Sequence, residues 1–251
     1  MQVFIVGAGP GDPELITVKG QKLLQQADVV IYAGSLVNPA LLQIVKQGAS
    51  IYNSASMTLP EVIETIEQAV AEGKQVVRLH TGDPSIYGAI QEQMDELSKR
   101  KIPYTVVPGV SSFLATAAAL KQEYTLPGIS QTVIITRNEG RTPVPEKERL
   151  ASLAAHGATM CIFLSVHMME EVVSQLLEGG YPEDTPIAIV QKASWPEEKI
   201  FRSTLKHVSR EIKEAEINRT AMIVVGRCLD TAYDLSRLYA PEFSHMYRDA
   251  K

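Results

Sequence analysis

The chain has 251 residues, of which 45% are hydrophobic and 21% are charged, and its formal net charge is −5. This composition is that of an ordinary globular protein and excludes a long disordered or low-complexity chain. A net negative charge without a run of Lys and Arg argues against nucleic acid as a partner. At this length the chain is expected to fold as one large domain or as two of modest size.

The N-terminal sequence enters a short apolar strand pattern at once, without the cationic and apolar stretches of a signal peptide. No stretch approaches the roughly 20 apolar residues that a membrane-spanning helix needs. We therefore expect a cytoplasmic protein with no membrane partner. Cys161 and Cys228 stand apart from each other and from any metal-ligand spacing, so we expect buried thiols, with neither a disulfide nor a metal site.

The first half of the chain alternates short apolar runs with amphipathic stretches, which is the pattern of a parallel sheet with crossover helices. Predicted strands cover residues 3–6, 29–32, 50–52, 76–80 and 104–107, and predicted helices cover 15–27, 59–72 and 87–99. Thr58 and Glu61 have the spacing of a capping box at the start of the second of these helices.

A second α/β domain is predicted after the alanine-rich helix 113–120. A polar segment that ends with Pro127 and Gly128 is the expected linker. Beyond it, strands are predicted at 132–136, 160–164, 187–190, 200–202 and 221–225, with helices near 146–156, 170–177 and 205–214. We place the domains at 1–118 and 119–230, followed by a tail at 231–251.

The loops that follow the predicted strands are the places to look for chemistry, because ligands of open α/β sheets bind outside the carboxyl ends of the strands. Four of these loops, at residues 7–13, 33–35, 81–84 and 108–112, contain glycine and three of them also contain proline. Glycine lets a backbone approach a ligand closely, and proline stiffens the approach. One extended cleft can collect all four loops.

The first loop does not have a dinucleotide-binding fingerprint. Gly7, Gly9 and Gly11 are spaced as GxGxG rather than GxGxxG, and Pro10 lacks the amide that a phosphate would use. The second strand ends at Tyr32 rather than at the acidic residue that binds a ribose. The P-loop pattern GxxxxGK[ST] is absent as well. A tight strand-to-helix turn without any ligand remains an alternative for this loop.

Asp83 and His80 each allow two interpretations. Asp83 precedes a predicted helix, where its carboxylate can cap the helix or organise a ligand. His80 ends the fourth strand, where it can line the cleft or be satisfied by backbone hydrogen bonds. A hydrolase is not favoured, because the GxSxG motif is absent and the five histidines form no local motif.

Three motifs taken together resemble the signatures of the tetrapyrrole methylase family. They are GAGPGDPELIT at 7–17, TGDPSIYG at 81–88 and VPGVSS at 107–112, and later blocks extend the resemblance to about residue 230. Within the family, residues 32–37 and 238–245 resemble the branch that methylates C11 of a corrin precursor in cobalamin biosynthesis. The alternatives are a methylase of another corrin position, a uroporphyrinogen-III methyltransferase, and a non-catalytic module that keeps the fold.

The resemblance implies a homodimer whose subunits have two α/β domains, an N-terminal parallel sheet and a C-terminal mixed sheet, with the cofactor cleft between the domains. It implies S-adenosylmethionine as methyl donor and S-adenosylhomocysteine as product. The family's donor contacts fall on Pro10, Thr81, Gly82, Asp83, Ile86, Ser111, Ser112, Leu164 and Ala193, with Thr220 and Ala221 as neighbours. Leu164 stands where many relatives have methionine, and Ala193 where many have glycine.

A corrin precursor carries many carboxylates, so an acidic enzyme must concentrate positive charge locally to bind it. Arg137 and Arg141 are the first candidates, followed by Lys192 and Arg202, and solvated surface charge is the alternative for each. Methyl transfer from a sulfonium is an in-line displacement that needs no nucleophilic side chain. The enzyme's main task is therefore expected to be positioning, and no catalytic base is assigned.

Overall fold

A computed structural model of the chain describes residues 2–230, 232–236, 238 and 240–250. The chain folds into two compact units, each built on a five-stranded sheet. The first unit comprises the residues up to Thr116 and the segment Lys192–Glu198, and the second comprises Ala117–Gln191 and the residues from Lys199 onward. From the sequence, Lys192–Glu198 was expected to belong to the second domain. Of the predicted tail, Thr231, Arg237, Tyr239 and Lys251 lie outside the described residues.

The first sheet consists of parallel strands in the order β3-β2-β4-β1-β5. Its strands are β1 (Val3–Gly7), β2 (Val29–Tyr32), β3 (Ser50–Asn53), β4 (Val76–His80) and β5 (Tyr104–Val107). The helices are α1 (Val18–Gln26), α2 (Leu59–Ala71), α3 (Gln91–Lys99) and α4 (Ser112–Leu120), the last of which leads into the second unit. β1 is flanked by β4 and β5.

Apolar side chains cover both faces of this sheet, as a doubly wound arrangement requires. One core contains Val6, Leu24, Val30, Leu41 and Leu79, and the other contains Ile31, Ile63, Ile66, Val76 and Leu97. Burying each such side chain stabilises the fold by roughly 1.5–3 kcal/mol. The predicted capping box of α2 is confirmed, since the amide of Thr58 donates to Glu61 Oε2 at 2.6 Å.

The predicted helix 87–99 is wrong in its first turn, because α3 begins only at Gln91. Tyr87 and Ala89 adopt positive φ angles of 55° and 49°, which a right-handed helix cannot contain. Gly88 lies directly against Pro84, where a Cβ would be 2.1 Å from the Pro84 carbonyl oxygen. The predicted helices 15–27 and 146–156 are likewise divided, each into a short 3-10 helix (Pro13–Leu15 or Glu146–Glu148) followed by an α-helix.

The second sheet has the order β6-β7-β10-β8-β9. Its strands are β6 (Val133–Arg137), β7 (Thr159–Phe163), β8 (Pro186–Gln191), β9 (Lys199–Thr204) and β10 (Ala221–Val225), and its helices are α5 (Leu150–Ala154), α6 (Met169–Glu178) and α7 (Leu205–Glu214). β6 and β7 are parallel and the other neighbours are antiparallel. This is the expected mixed sheet, so the predicted α/β fold with one parallel and one mixed sheet is confirmed.

Both cysteines are buried free thiols, as predicted, and burial raises the pKa of Cys161 to about 12. Within the described residues, no group of His, Cys, Asp and Glu side chains is arranged to hold a metal ion. No helix in the described part of the chain combines the length and apolar character needed to cross a membrane.

β4 buries two basic side chains, Arg78 and His80, on the face of the sheet that carries α3. The Arg78 guanidinium donates to Gln93 Oε1 at 3.0 Å and to the Ile31 carbonyl at 3.1 Å. His80 is 4% exposed, and its Nε2 has no hydrogen-bond partner among the described residues. Burial, and then the charge of Arg78, lower the pKa of His80 to about 3. His80 is therefore neither an exposed cleft residue nor a histidine satisfied at both ring nitrogens.

We expect His80 to make the protein less stable as the pH falls. In an unfolded chain an imidazole titrates near pH 6.5, whereas in the folded protein the pKa is about 3. The unfolded state therefore binds more protons between these values, and folding stability is lost with falling pH. Between about pH 6.5 and about pH 5 the loss amounts to roughly 1–2 kcal/mol.

Urea unfolding of the natural protein and of His80→Gln, at both pH values, measures this contribution. The natural protein should lose roughly 1–2 kcal/mol more than the variant between the two pH values, because glutamine does not titrate. Above about pH 7.5 the free energies of unfolding of the two proteins should change with pH in the same way. His80 is then neutral in both the folded and the unfolded state. Equal losses in the acid range would contradict the assignment.

Candidate active site

Four strand-end loops lie side by side at the carboxyl edge of the first sheet, because β2, β4, β1 and β5 are parallel neighbours. Backbone hydrogen bonds join the loops after β1 and β4: the Gly82 amide donates to the Gly9 carbonyl at 2.8 Å, and the Gly9 amide to the Gly82 carbonyl at 3.3 Å. Thr81 Oγ1 donates to the Leu36 carbonyl at 3.0 Å, which ties in the loop after β2. The loops predicted to gather do lie together.

Three glycines at this edge contact each other through their backbones. A Cβ on Gly7 would lie 2.6 Å from both Gly109 Cα and the Gly82 carbonyl oxygen, and a Cβ on Gly109 would lie 2.2 Å from the same oxygen. Real Cβ atoms do not approach backbone atoms so closely. These glycines were expected to allow close approach of a ligand, whereas Gly7 and Gly109 are required by the contact between the loops.

Asp83 connects two of the loops through its carboxylate. Oδ1 accepts from the Ser85 amide at 2.8 Å and Oδ2 accepts from the Gly109 amide at 2.9 Å. The first bond lies within a turn at residues 83–86, and no helix starts there. Asp83 therefore caps a turn and positions the loop after β5, which differs from the helix cap that was predicted as one of its two roles.

The remaining predicted donor contacts of the first unit lie on the same loops. Thr81, Ile86 and Ser112 are partly buried, and Pro10 and Ser111 are buried. Ser111 immediately precedes α4, and Ser112 is its first residue.

The segment Lys192–Glu198 brings Lys192 and Ala193 to the first unit. Ala193 is buried, and the amide of Asp12, in the loop after β1, donates to Ser194 Oγ at 3.0 Å. Trp195 Nε1 donates to the Pro10 carbonyl at 2.9 Å. The predicted contacts Pro10, Lys192 and Ala193 are therefore neighbours in one region of the first unit.

Leu164, Thr220 and Ala221 lie together at one edge of the second sheet, since Leu164 follows β7 and Thr220 precedes the antiparallel neighbour β10. Leu164 and Thr220 have positive φ angles of 55° and 51°. Such a backbone is costly for residues other than glycine and is found often at ligand sites. The Leu164 side chain is 61% exposed.

Arg137 ends β6, and its guanidinium holds the loop that contains Arg141. It donates to the carbonyls of Asn138, Thr142 and Pro143 at 3.2, 3.1 and 2.9 Å. No carboxylate in the described residues forms an ion pair with Arg137 or with the exposed Arg141, although Glu139 lies between them in the sequence. Arg202, by contrast, donates to the Leu120 and Leu229 carbonyls inside the second unit.

A surface cavity of about 1290 Å³ lies in the second unit beside α6 and α7. Gln191 and Arg219 line it next to the strand edge described above, but none of the predicted site residues does. Its charged lining mixes both signs: Lys199, Lys213 and Arg219 with Glu170, Glu171 and Glu216. A mixed lining does not favour a ligand with many carboxylates.

Comparison with known families decides the relationship. The family model of the tetrapyrrole (corrin/porphyrin) methylases matches residues 2–209. The chain belongs to the tetrapyrrole methylase family. The three strand-end motifs of this tetrapyrrole methylase lie within the matched residues, in agreement with the resemblance found in the sequence.

Individual members of the family are similar over almost the whole chain. A cobalt-precorrin-4 C(11)-methyltransferase of Methanocaldococcus jannaschii is 59% identical, over 98% of this chain and 96% of the relative. The X-ray structure of a cobalt-precorrin-4 methyltransferase superposes with a TM-score of 0.90 at 50% identity, covering 92% of this chain and 96% of that one. A uroporphyrin-III C-methyltransferase from Thermus thermophilus, complexed with S-adenosylhomocysteine, gives 0.76 at 27% identity, covering 92% and 94%.

Three residues that bond to the loop after β1 of this tetrapyrrole methylase were not predicted from its sequence: Asn38, Ser194 and Trp195. Their side chains bond to Gly11, Asp12 and Pro10 from positions far along the chain. The only sequence signal is that Trp195 is the one tryptophan of the chain and lies within the residues that the resemblance covers.

We expect Gly109→Ala to disrupt the loop cluster of this tetrapyrrole methylase. The added methyl group would meet the Gly82 carbonyl and Gly7 Cα, which are backbone atoms that cannot move aside. The free energy of unfolding should fall by about 3 kcal/mol or more. Gly140→Ala is the matched control, because the atom nearest its new Cβ is the end of a flexible side chain, Met168 Cε at 3.7 Å. Thermal and urea denaturation should separate the variants, and equal stabilities would contradict the contact.

Proposed function

We propose that the protein methylates C11 of cobalt-precorrin-4 in cobalamin biosynthesis, with S-adenosylmethionine as methyl donor. The observation that carries this proposal is the similarity over nearly the full chain, in sequence and in structure, to enzymes of that name. The loops at the edge of the first sheet, with their buried and half-buried donor contacts, support an intact binding site over a non-catalytic module.

We propose that the donor contacts the residues predicted from the family, namely Pro10, Thr81, Gly82, Asp83, Ile86, Ser111, Ser112, Leu164, Ala193, Thr220 and Ala221. The bound S-adenosylhomocysteine in the Thermus thermophilus relative supports a nucleoside donor. The hydroxyls of Ser111 and Ser112 fit a ligand with hydroxyl, amine and carboxylate groups, because a hydroxyl can donate and accept hydrogen bonds. S-adenosylmethionine supplies a methyl group that its sulfonium charge already activates.

The residues of this chain then act by positioning. Gly7, Gly82 and Gly109 keep the loops in contact, and Asp83 fixes the loop after β5. Because both oxygens of Asp83 already accept backbone amides, we assign it no proton transfer. Holding the methyl group and the macrocycle carbon in line, in a site that excludes water, accounts for the rate acceleration.

The tetrapyrrole carboxylates require cations, and we propose Arg137, Arg141 and Lys192 for this task. Arg137 and Arg141 have no carboxylate partner in the described residues, whereas Lys192 Nζ lies 3.5 Å from Glu197 Oε2. An unpaired guanidinium binds a carboxylate with two parallel hydrogen bonds. Arg137 also shapes the loop on which Arg141 lies, so the two arginines act together.

We also propose that the enzyme acts in the cytoplasm as a homodimer, as the family resemblance implies. Large apolar side chains that are mostly exposed, such as Leu235, Met246 and Tyr247, support a partner surface. Light scattering of the purified protein tests the oligomeric state.

Incubation with labelled S-adenosylmethionine and either cobalt-precorrin-4 or its cobalt-free counterpart tests the function. The product of the cobalt substrate should gain one methyl group, and carbon NMR should locate it at C11. Methylation of uroporphyrinogen III alone, or of a carbon other than C11, would contradict the proposal.

We expect Arg141→Ala to weaken binding of the tetrapyrrole without affecting the donor. Loss of one exposed charge-assisted contact should raise the KM for the tetrapyrrole roughly 3- to 10-fold and leave the KM for S-adenosylmethionine unchanged. Lys206→Ala, which removes an exposed lysine paired with Glu183, is the control and should change neither KM. Steady-state kinetics with each substrate varied in turn provide the comparison. An unchanged KM for the tetrapyrrole would remove Arg141 from the site.

A further inference from the structure

Three consecutive residues of the loop after β1 are each held by a side chain from elsewhere in the first unit. Trp195 Nε1 donates to the Pro10 carbonyl at 2.9 Å, and Asn38 Nδ2 donates to the Gly11 carbonyl at 2.8 Å. The amide of Asp12 donates to Ser194 Oγ at 3.0 Å. The positions of these peptide groups therefore depend on side chains that are remote in sequence.

The indole of Trp195 also lies directly on Gly11. A Cβ on Gly11 would be 2.0 Å from Trp195 Cδ1 and 2.1 Å from Nε1, so only glycine leaves room for the ring. The φ of Gly11 is not in the left-handed region, so space rather than backbone conformation requires glycine here. Ring and loop are in van der Waals contact over the same residues that the hydrogen bonds hold.

The segment that carries Trp195 is itself fixed by internal hydrogen bonds. The Trp195 amide donates to the Lys192 carbonyl at 2.9 Å, and the Glu198 amide to the Trp195 carbonyl at 3.0 Å. The Ser194 amide donates to Glu198 Oε2 at 2.7 Å, with Ser194 at a φ of 69°. Trp195 is thus presented by a constrained turn.

Lys192 lies over the face of the Trp195 ring. Its Nζ is 5.5 Å from the centroid of the Trp195 ring, which is within the range of a cation–π contact. The indole therefore contacts both a residue proposed to bind the donor, Pro10, and one proposed to bind the tetrapyrrole, Lys192. Its N–H serves the first contact and its ring face serves the second.

We propose that Trp195 is a positioning residue for methyl transfer, which sets Pro10 for the donor through its N–H and Lys192 for the tetrapyrrole through its ring. This inference rests on the proposed donor site. Pro10 has no N–H to donate and Gly11 is intrinsically flexible, so side-chain contacts such as that of Trp195 restrict this part of the loop. Without the indole N–H, donor binding must order the loop, and this cost lowers affinity.

Two substitutions separate the two roles. Trp195→Phe keeps an aromatic ring but removes the N–H, and should weaken binding of S-adenosylhomocysteine roughly 3- to 10-fold, with a matching rise in the KM for the donor and an unchanged KM for the tetrapyrrole. Trp195→Ala removes both contacts and should raise both KM values. If Trp195→Ala does not fold, the test rests on Trp195→Phe alone. Thermal denaturation of Trp195→Phe should then show a single folded population.

The natural protein provides an independent signal, because Trp195 is its one tryptophan. Its fluorescence should change on addition of S-adenosylhomocysteine and saturate with the dissociation constant found by calorimetry. Binding measured by calorimetry without any change in emission would overturn the inference.

Ile63→Val controls for general destabilisation, because Ile63 lies in the core between α2 and the first sheet. It should lower the melting temperature and leave the affinity for S-adenosylhomocysteine unchanged. An equal loss of affinity in Ile63→Val and Trp195→Phe, or no loss in Trp195→Phe, would overturn the role of Trp195 but not the proposed donor site. Failure of the natural protein to bind S-adenosylhomocysteine would overturn the donor site and this inference together.

Discussion

The backbones of three neighbouring loops touch where β4, β1 and β5 leave the first sheet, and the rest of the site depends on this contact. Side chains at Gly7 or Gly109 would separate the loops, so the glycines of two family motifs serve the protein's own packing. The carboxylate of Asp83 completes the arrangement by bonding across two of the loops. Because these glycines serve packing, ligand contacts must come from other groups at this edge of the sheet.

The buried charge of Arg78 is not neutralised by a carboxylate among the described residues, whereas exposed charges of the first unit form ion pairs such as Lys46–Asp28 and Arg100–Glu67. Arg78 is buried under the loop edge with an amide and a carbonyl as acceptors rather than a carboxylate, and its charge helps to keep His80 neutral. A buried cation without a counterion costs stability. The fold tolerates this cost because the two apolar cores of the same sheet offset it.

Most of the fold was predictable from the sequence, because most of its strands are short apolar runs and its helices have clear apolar faces. The ten strands lie within about two residues of their predicted positions. The beginning of α3 was not predictable, since the left-handed backbone of Tyr87 and Ala89 leaves no trace in the apolar period.

The site was predictable only in part. The order of the parallel strands places the four loops together, but the choice between two roles for Asp83 depended on Gly109, 26 residues away. The contact between Trp195 and Pro10 spans 185 residues, and no local pattern can indicate it. The donor and tetrapyrrole contacts came from the family resemblance, which transfers positions but not the reasons why those residues are held there.

The division of the chain has a consequence for how this protein can be cut or recombined. Segment Lys192–Glu198 belongs to the first unit but is encoded between β8 and β9 of the second. A fragment that stops at Thr116 would lack the indole and hydroxyl that hold the loop after β1. Gene fission between the two halves, or exchange of the C-terminal half for that of a distant relative, would therefore alter the N-terminal unit as well, and the two halves are expected to diverge together.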